Sequence, residues 1–282
     1  MNLIAPTAFK GTMSPLGAAR HLAAPGDRLL PLSDGGDGFL ECLQHGLGGT
    51  CEQVPAADPW GRVRPVPVLC LPDGGVAIEC AQVVGLAGLE RRDPLTASSR
   101  GMGELLLRFA HAPRLWIGLG GSATVDGGRD WPPLSLPPTV VFCDVATDLG
   151  DAARMFGPQK GARVEDIPIL AERLAGLGLP HGPRTGAAGG LGAKLLSLGA
   201  TLVDGAEKML DVLDFAGACH GCQTVVTGEG RLDASSLAGK LPVAVARRAR
   251  SLGLRVVGRF GCRGPGWERA ATLFDEVRFE SD

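Results

Sequence analysis

Residues 2–23 read NLIAPTAFKGTMSPLGAARHLA, and this stretch decides the fold class. The apolar run at 2–6 has the length and content of a strand. Lys10 and Gly11 follow in a short loop. Ser14 then offers an N-cap and Pro15 the first helical position, with Leu16, Ala19, Leu22 and Ala23 on one helix face. A strand, a glycine-containing loop and a helix, in that order, are the repeating half of an α/β fold.

The rest of the chain repeats the pattern. Runs at 28–32, 66–71, 75–80, 114–119, 139–145, 223–227, 254–259 and 276–279 read as strands. Pro72-Asp73-Gly74-Gly75 predicts a hairpin between two of them. Met102, Leu105, Leu106 and Phe109 keep helical spacing. Asp166 is a cap for a helix carrying Ile167, Leu170 and Leu174, and Pro242 suits the first turn of one bearing Val245 and Ala249. The alternation predicts α/β with mainly parallel sheets. Residues 131–138, W-P-P-L-S-L-P-P, hold four prolines in eight positions, which forbids a helix. They are expected to form an extended connector on the surface, away from any site.

Composition sets outer bounds. At 282 residues the chain suits one large or two modest domains, and its 43 glycines and 21 prolines stay below the share found in unstructured chains. With 28 basic against 30 acidic residues and no basic run beyond Arg247, Arg248 and Arg250, a nucleic-acid partner is not expected. The longest stretch without a charged side chain, 215–228, is 14 residues. A membrane helix needs about 20, so no membrane partner is expected either. The first ten residues lack a basic head and contain Pro6, so no signal peptide is read there, and the expected location is cytoplasmic. Eight scattered cysteines fit free thiols in a reducing compartment. Cys219 and Cys222 form one C-x-x-C without a second pair, a weak zinc signal. A redox role stays open beside the plainer reading of two thiols entering a strand.

Glycine clusters recur where strands end: 9–12, 33–38, 118–124, 157–161, 185–190 and 227–230. Three of the five lysines touch a glycine there, as Lys10–Gly11, Lys160–Gly161 and Gly239–Lys240. Glycine lets backbone N–H groups approach a ligand, and lysine is a compact charge for a phosphate in a tight loop. Each loop alone reads as a turn and each aspartate as a cap. Collectively, with Asp34, Asp126, Asp144, Glu229 and Asp233 nearby, they point to phosphate plus a cation such as Mg²⁺, because carboxylates beside phosphate otherwise repel it. Two familiar nucleotide motifs fail. Gly118-x-Gly120-x-x-Ala123 matches the dinucleotide fingerprint, but the prolines leave no room for the helix that it requires. Position 234 is Ala and Leu241 follows Lys240, so a Walker A loop is absent.

These loops carry a resemblance. Residues 8–12 (A-F-K-G-T), 34–38 (D-G-G-D-G), 118–128 (G-L-G-G-S-A-T-V-D-G-G), 143–145 (C-D-V), 156–162 (F-G-P-Q-K-G-A), 186–192 (G-A-A-G-G-L-G) and 227–233 (T-G-E-G-R-L-D) resemble, in order, the glycerate kinase type I family. The segments I-E-C-A at 78–81 and G-M-G-E-L at 101–105 fit it too. The resemblance implies an ATP- and Mg²⁺-dependent kinase acting on D-glycerate, usually at the 2-hydroxyl. It implies a Rossmann-like parallel-sheet domain built from both chain ends, set here at 1–72 and 222–282, with a second α/β domain inserted at 73–221. Departures are Thr7 where the family usually has Asp, Asp37 for Glu, and Thr147-Asp148 for an Asn-Pro pair. The loop to Phe156 and the segment after Gly128 are shortened, and the family's helices beyond 279 have no counterpart. A non-catalytic glycerate- or nucleotide-binding protein of the same fold is the second reading.

Phosphoryl transfer needs charge neutralisation, in-line positioning and an orienter for the attacking hydroxyl. Lys10 and Lys160 are the candidates for neutralising phosphate or the substrate carboxylate, and Asp34 or Asp126 for accepting the hydroxyl proton. Gly120, Gly121 and Ser122, with Gly189, Gly190 and Lys240, are the expected nucleotide contacts. Asp144, Glu229 and Asp233 are the expected metal ligands. The loop between Gly157 and Gly161 is too short to bury the Lys160 stem by itself, so replacing Lys160 is expected to lower turnover and leave stability nearly unchanged.

Overall fold

The computed structural model describes residues 1–87, 92–238 and 240–280. Its strands, in chain order, are β1 (Asn2–Ile4), β2 (Arg28–Leu29), β3 (Thr50–Ala57), β4 (Val63–Cys70), β5 (Val76–Glu79), β6 (Leu115–Gly118), β7 (Thr139–Cys143), β8 (Thr201–Asp204), β9 (Thr224–Leu232), β10 (Arg255–Arg263) and β11 (Glu276–Phe279). They form two sheets, and the chain divides around them into two units, residues 1–47 with 206–282 and residues 48–205. The architecture is α/β with two sheets rich in parallel pairs. No helix among the described residues is long and apolar enough to cross a membrane.

In the first unit the sheet runs β11-β10-β9-β1-β2, with every pair parallel. From β1 the chain passes through the helix Pro15–Leu22 to β2 on one side. From β9 it passes through the helix Leu241–Ser251 to β10 on the other. The strand order therefore reverses between β1 and β9. In open parallel sheets such a reversal opens a crevice at the carboxyl ends of the strands. The helix after β1 begins as its sequence predicts. Ser14 Oγ accepts from the Gly17 amide at 3.2 Å, and Pro15 sits in the first turn. Such a cap contributes about 1 kcal/mol. Glu41 adds to it, accepting from Ser14 Oγ and from the Leu16 amide, each at 3.0 Å.

In the second unit the order is β3-β4-β5-β6-β7-β8, antiparallel from β3 to β5 and parallel from β5 to β8. Every residue of β5 is buried, and Ile78, Ile117 and Val141 pack with Met102, Leu105 and Leu106 on one helix and Leu191 and Leu195 on another. Strands covered on both faces read as unbroken apolar runs, which is why these were visible in sequence. The hairpin at 72–75 is present. The Leu71 amide donates to Gly75 O at 2.8 Å, and Gly74 takes φ +83°.

Several expectations are corrected. β3 and β8 carry no apolar signature, because β3 is an exposed edge strand with Pro55 opposite Pro65 and β8 is short and half-exposed. The strand expected to stop at 227 continues to Leu232, with Glu229 inside it and Phe260 opposite. Gly228 permits this approach, since a Cβ there would lie 1.6 Å from Arg259 O. The units divide at 47/48 and 205/206, where the sequence sets boundaries at 72/73 and 221/222. The β3–β4 hairpin pairs onward into β5, which draws it into the second unit. The helix Gly205–Val212 joins the first unit, where Arg248 binds Glu207 and Asp211. Asp166 is the first residue of its helix, preceded by Glu165 at the cap position. The 131–138 connector has no helix, as expected, but it does not lie wholly on the surface: Trp131 is buried and Leu134 and Leu136 pack on the core. Cys219 and Cys222 are buried free thiols.

Candidate active site

The first unit gathers its chemistry at the β1–β9 crevice. Beyond β1 the chain folds into a tight turn in which the Thr12 and Met13 amides and Thr12 Oγ1 all donate to Phe9 O. Lys10 stands exposed on that turn. The turn can press against β9 because position 230 is glycine, where a Cβ would lie 3.3 Å from the Lys10 amide nitrogen. Opposite it, Glu229 is largely buried, and burial is the main cause that pushes its carboxyl up. Lys240 and a hydrogen bond from Ser236 oppose that shift, while Asp233 and Asp34 add to it. Ser236 Oγ donates to Glu229 Oε1 at 2.9 Å. Lys240 Nζ lies 3.7 Å from Glu229 Oε2 and 3.7 Å from Asp233 Oδ1, and Arg231 holds the other Asp233 oxygen at 3.0 Å. Lys240 precedes a helix, where its charge opposes the dipole; two carboxylates within reach account for it there. Its neighbour Gly239 lies outside the described residues. Asp34 sits in the turn after β2 and accepts weakly from the Gly36 amide at 3.4 Å.

The second unit builds a different environment at the carboxyl ends of β5, β6 and β7. The loop after β6 is tied down by hydrogen bonds from the Leu86 amide to Gly121 O and from the Ala123 amide to Val84 O, each 2.8 Å. Ser122 and Gly120 are buried, and Gly121 is exposed with φ +68°. Lys160 enters from the short helix Pro158–Lys160 and is only 3 % exposed. Its Nζ donates to Ser122 Oγ at 2.9 Å and to Thr124 O at 2.8 Å. Burial lowers its ammonium to about 8, opposed by Cys80, Asp126 and Asp144. Asp126 is raised by burial, and that rise is opposed by two hydrogen bonds from Ser99. Asp144 is exposed just past β7. Gly189 and Gly190 are buried in left-handed conformations at the start of the helix Ala187–Ser197. A Cβ on Gly189 would lie 2.1 Å from Thr124 O, and Gly189 O accepts from the Gly127 amide at 3.1 Å. These glycines clamp the loop that carries Ser122, Thr124 and Asp126.

The structure thus places Lys10, Asp34, Glu229, Asp233 and Lys240 on one unit. Gly120, Gly121, Ser122, Asp126, Asp144, Lys160, Gly189 and Gly190 are on the other. The three expected metal ligands are divided in the same way. Among the described residues no group of three or more His, Cys, Asp or Glu side chains is placed to hold an ion by itself. The Lys160 expectation is corrected: the residue is buried and its ammonium is tied to Ser122 and Thr124 on the loop after β6, so it is part of the fold and its replacement is not neutral for stability. Ser99, Thr124, Ser236 and Trp131 were missed. Of these only Ser99 had a signal, as the polar residue before the helical pattern at 102–109.

The sequence profile described as the glycerate kinase family matches residues 2–130 and 134–277. A glycerate kinase of Halalkalibacterium halodurans is 32% identical, over 94% of this chain and 86% of its own. The glycerate 2-kinase of Escherichia coli K12 is 34% identical, over 82% of this chain and 75% of its own. A solved structure from Salmonella typhimurium LT2, assigned as glycerate kinase 2, superimposes with a TM-score of 0.80 at 29% identity, over 98% of this chain and 89% of that one. On a match spanning nearly its whole length, the chain belongs to the glycerate kinase family.

Proposed function

We propose that this chain is a kinase that transfers the γ-phosphoryl group of ATP to D-glycerate, at the 2-hydroxyl, with Mg²⁺. The observation that carries the reading, beside family membership, is the Lys160–Asp126 environment: a buried ammonium and a half-buried carboxylate in one electrostatic field, beside a loop clamped by glycines. A carboxylate raised by burial is a better proton acceptor than an exposed one, and Asp126 takes that role here in preference to Asp34. Lys160 and Lys10 neutralise phosphate or the glycerate carboxylate, and the 120–122 amides with the Ser122 hydroxyl cradle phosphate. Gly189 and Gly190 support that cradle from behind.

The residues fit a magnesium nucleotide. Glu229 and Asp233 are two carboxylates held close, both near Lys240, with burial and like charge already raising Glu229. Mg²⁺ commonly takes one or two protein carboxylates and completes its shell with phosphate and water, so an all-protein cage is not required. When bound, Mg²⁺ with ATP supplies charge neutralisation on the transferring phosphoryl oxygens. Glu229 and Asp233 would hold the metal and Lys240 would balance their charge. A coupled ADP-release assay with D-glycerate, L-glycerate and related hydroxy acids tests the reading, and phosphorus NMR of the product separates 2- from 3-phosphorylation. Turnover that requires both D-glycerate and Mg²⁺ is expected. Binding of ATP and glycerate without ADP release would identify a non-catalytic member of the fold, and reduction of NAD with glycerate would overturn both readings.

A further inference from the structure

Asp126 Oδ2 accepts two hydrogen bonds from Ser99, from its amide at 2.7 Å and from its hydroxyl at 2.9 Å. A serine hydroxyl has one proton, and here it points to the carboxylate. Its lone pairs accept in turn from Trp131 Nε1 at 2.9 Å, and the same indole N–H lies 2.9 Å from Ser99 O. Ser99 is wholly buried and Trp131 nearly so. Two glycines make room for the indole. A Cβ on Gly103 would lie 2.5 Å from Trp131 Cγ, and one on Gly128 would lie 3.3 Å from its ring. The other carboxylate oxygen, Oδ1, accepts a long hydrogen bond from the Gly128 amide at 3.5 Å.

We propose that Trp131 and Ser99 form a positioning relay for Asp126, fixing its Oδ2 so that Oδ1 accepts the substrate hydroxyl proton. The inference rests on the base role given to Asp126 above. An indole N–H donating to the serine oxygen polarises the hydroxyl toward the carboxylate, and a hydrogen bond to an ionised acceptor is stronger than a neutral one. The proton leaves the attacking hydroxyl for Oδ1 as the new oxygen–phosphorus bond forms, and the bond from phosphorus to the ADP oxygen breaks with its electron pair going to ADP. Trp131 falls in the interval 131–133 that the family profile passes over. The relay stands where the proline-rich connector begins. Trp131 and Ser99 touch neither substrate nor phosphate in this scheme; they act through Asp126.

The test is the pH profile of turnover in Ser99→Ala and Trp131→Phe, with denaturation midpoints measured alongside. Each substitution weakens hydrogen bonding to the ionised form, so the carboxyl pKa rises and the acid limb moves to higher pH. About one unit is expected for Ser99→Ala and a smaller shift in the same direction for Trp131→Phe. Lys160 and Cys80 share the field around Asp126, but neither is altered, so the alkaline limb should stay in place. KM for ATP should also be unchanged. Ser99→Ala removes a single oxygen, which keeps the test available should Trp131→Phe disturb packing. Folded variants with an unmoved acid limb and unchanged kcat, or a loss of stability alone, would overturn the relay. Asp126→Asn separates this from the underlying reading. If it retains turnover, Asp126 is not the base; if it is inactive while the relay variants behave as wild type, only the relay fails.

Discussion

At Lys160 the ammonium directs two of its three donors to protein oxygens and lies 5.7 Å from the centre of the Phe156 ring. Burial lowers its pKa to about 8, below the ordinary lysine value of 10.5. The sign of the linkage follows. Between about 8 and 10.5 the unfolded chain carries a proton there that the folded chain has lost, so this site makes stability rise with pH across that window and adds no slope below it. Lys160→Met, which fills the space without a charge, should abolish that rise in urea titrations taken from pH 7 to 10. Its turnover should drop by at least about 100-fold if the charge serves phosphoryl transfer. Lys160→Ala leaves Ser122 Oγ and Thr124 O without their partner and should cost a further 1–3 kcal/mol or so in stability.

Among the elements, the loop of residues 118–128 depends on the helix that begins behind it. Gly189 takes φ +71° and its missing side chain lets Thr124 O approach. Gly178 has a similar backbone, φ +61°, with nothing within 4 Å of the point where a Cβ would lie. Replacement of each by alanine therefore separates conformation from contact. Gly178→Ala should cost about 1–2 kcal/mol, the left-handed penalty alone. Gly189→Ala should cost roughly 3 kcal/mol or more, because backbone must also move. Equal losses by chemical denaturation would show that the Thr124 contact is unimportant. Turnover should fall only in Gly189→Ala, since its clamp holds the Asp126 loop.

For the whole molecule, a ligand that binds only the folded chain raises the unfolding midpoint. Mg²⁺ with a non-hydrolysable ATP analogue at about 100 times its dissociation constant should add roughly 2.7 kcal/mol, or about 5–10 °C. The double variant Glu229→Gln, Asp233→Asn should lose most of that shift while responding normally to D-glycerate. An undiminished shift would remove these two carboxylates from the metal site. The position of the cluster gives the expectation its force: Glu229 and Asp233 stand at the reversal of the first sheet, beside the turn bearing Lys10.

The sequence by itself determined what is local or periodic. The Ser14–Pro15 helix start, the buried runs of β5, β6 and β7, the hairpin at 72–75 and the spaced glycine blocks all follow from neighbours a few residues apart. Those signals sufficed for the α/β class and the family. The tertiary structure alone decided what depends on distant atoms. Lys160 is buried by a serine 38 residues away, and Asp126 is held by a serine 27 positions earlier that a tryptophan supports. The extension of β9 rests on β10, and the first boundary between units rests on an edge hairpin with no apolar pattern of its own. Burial, and through it the charge state of a lysine or an aspartate, is set by what the fold brings alongside, and no run of adjacent residues carries that information.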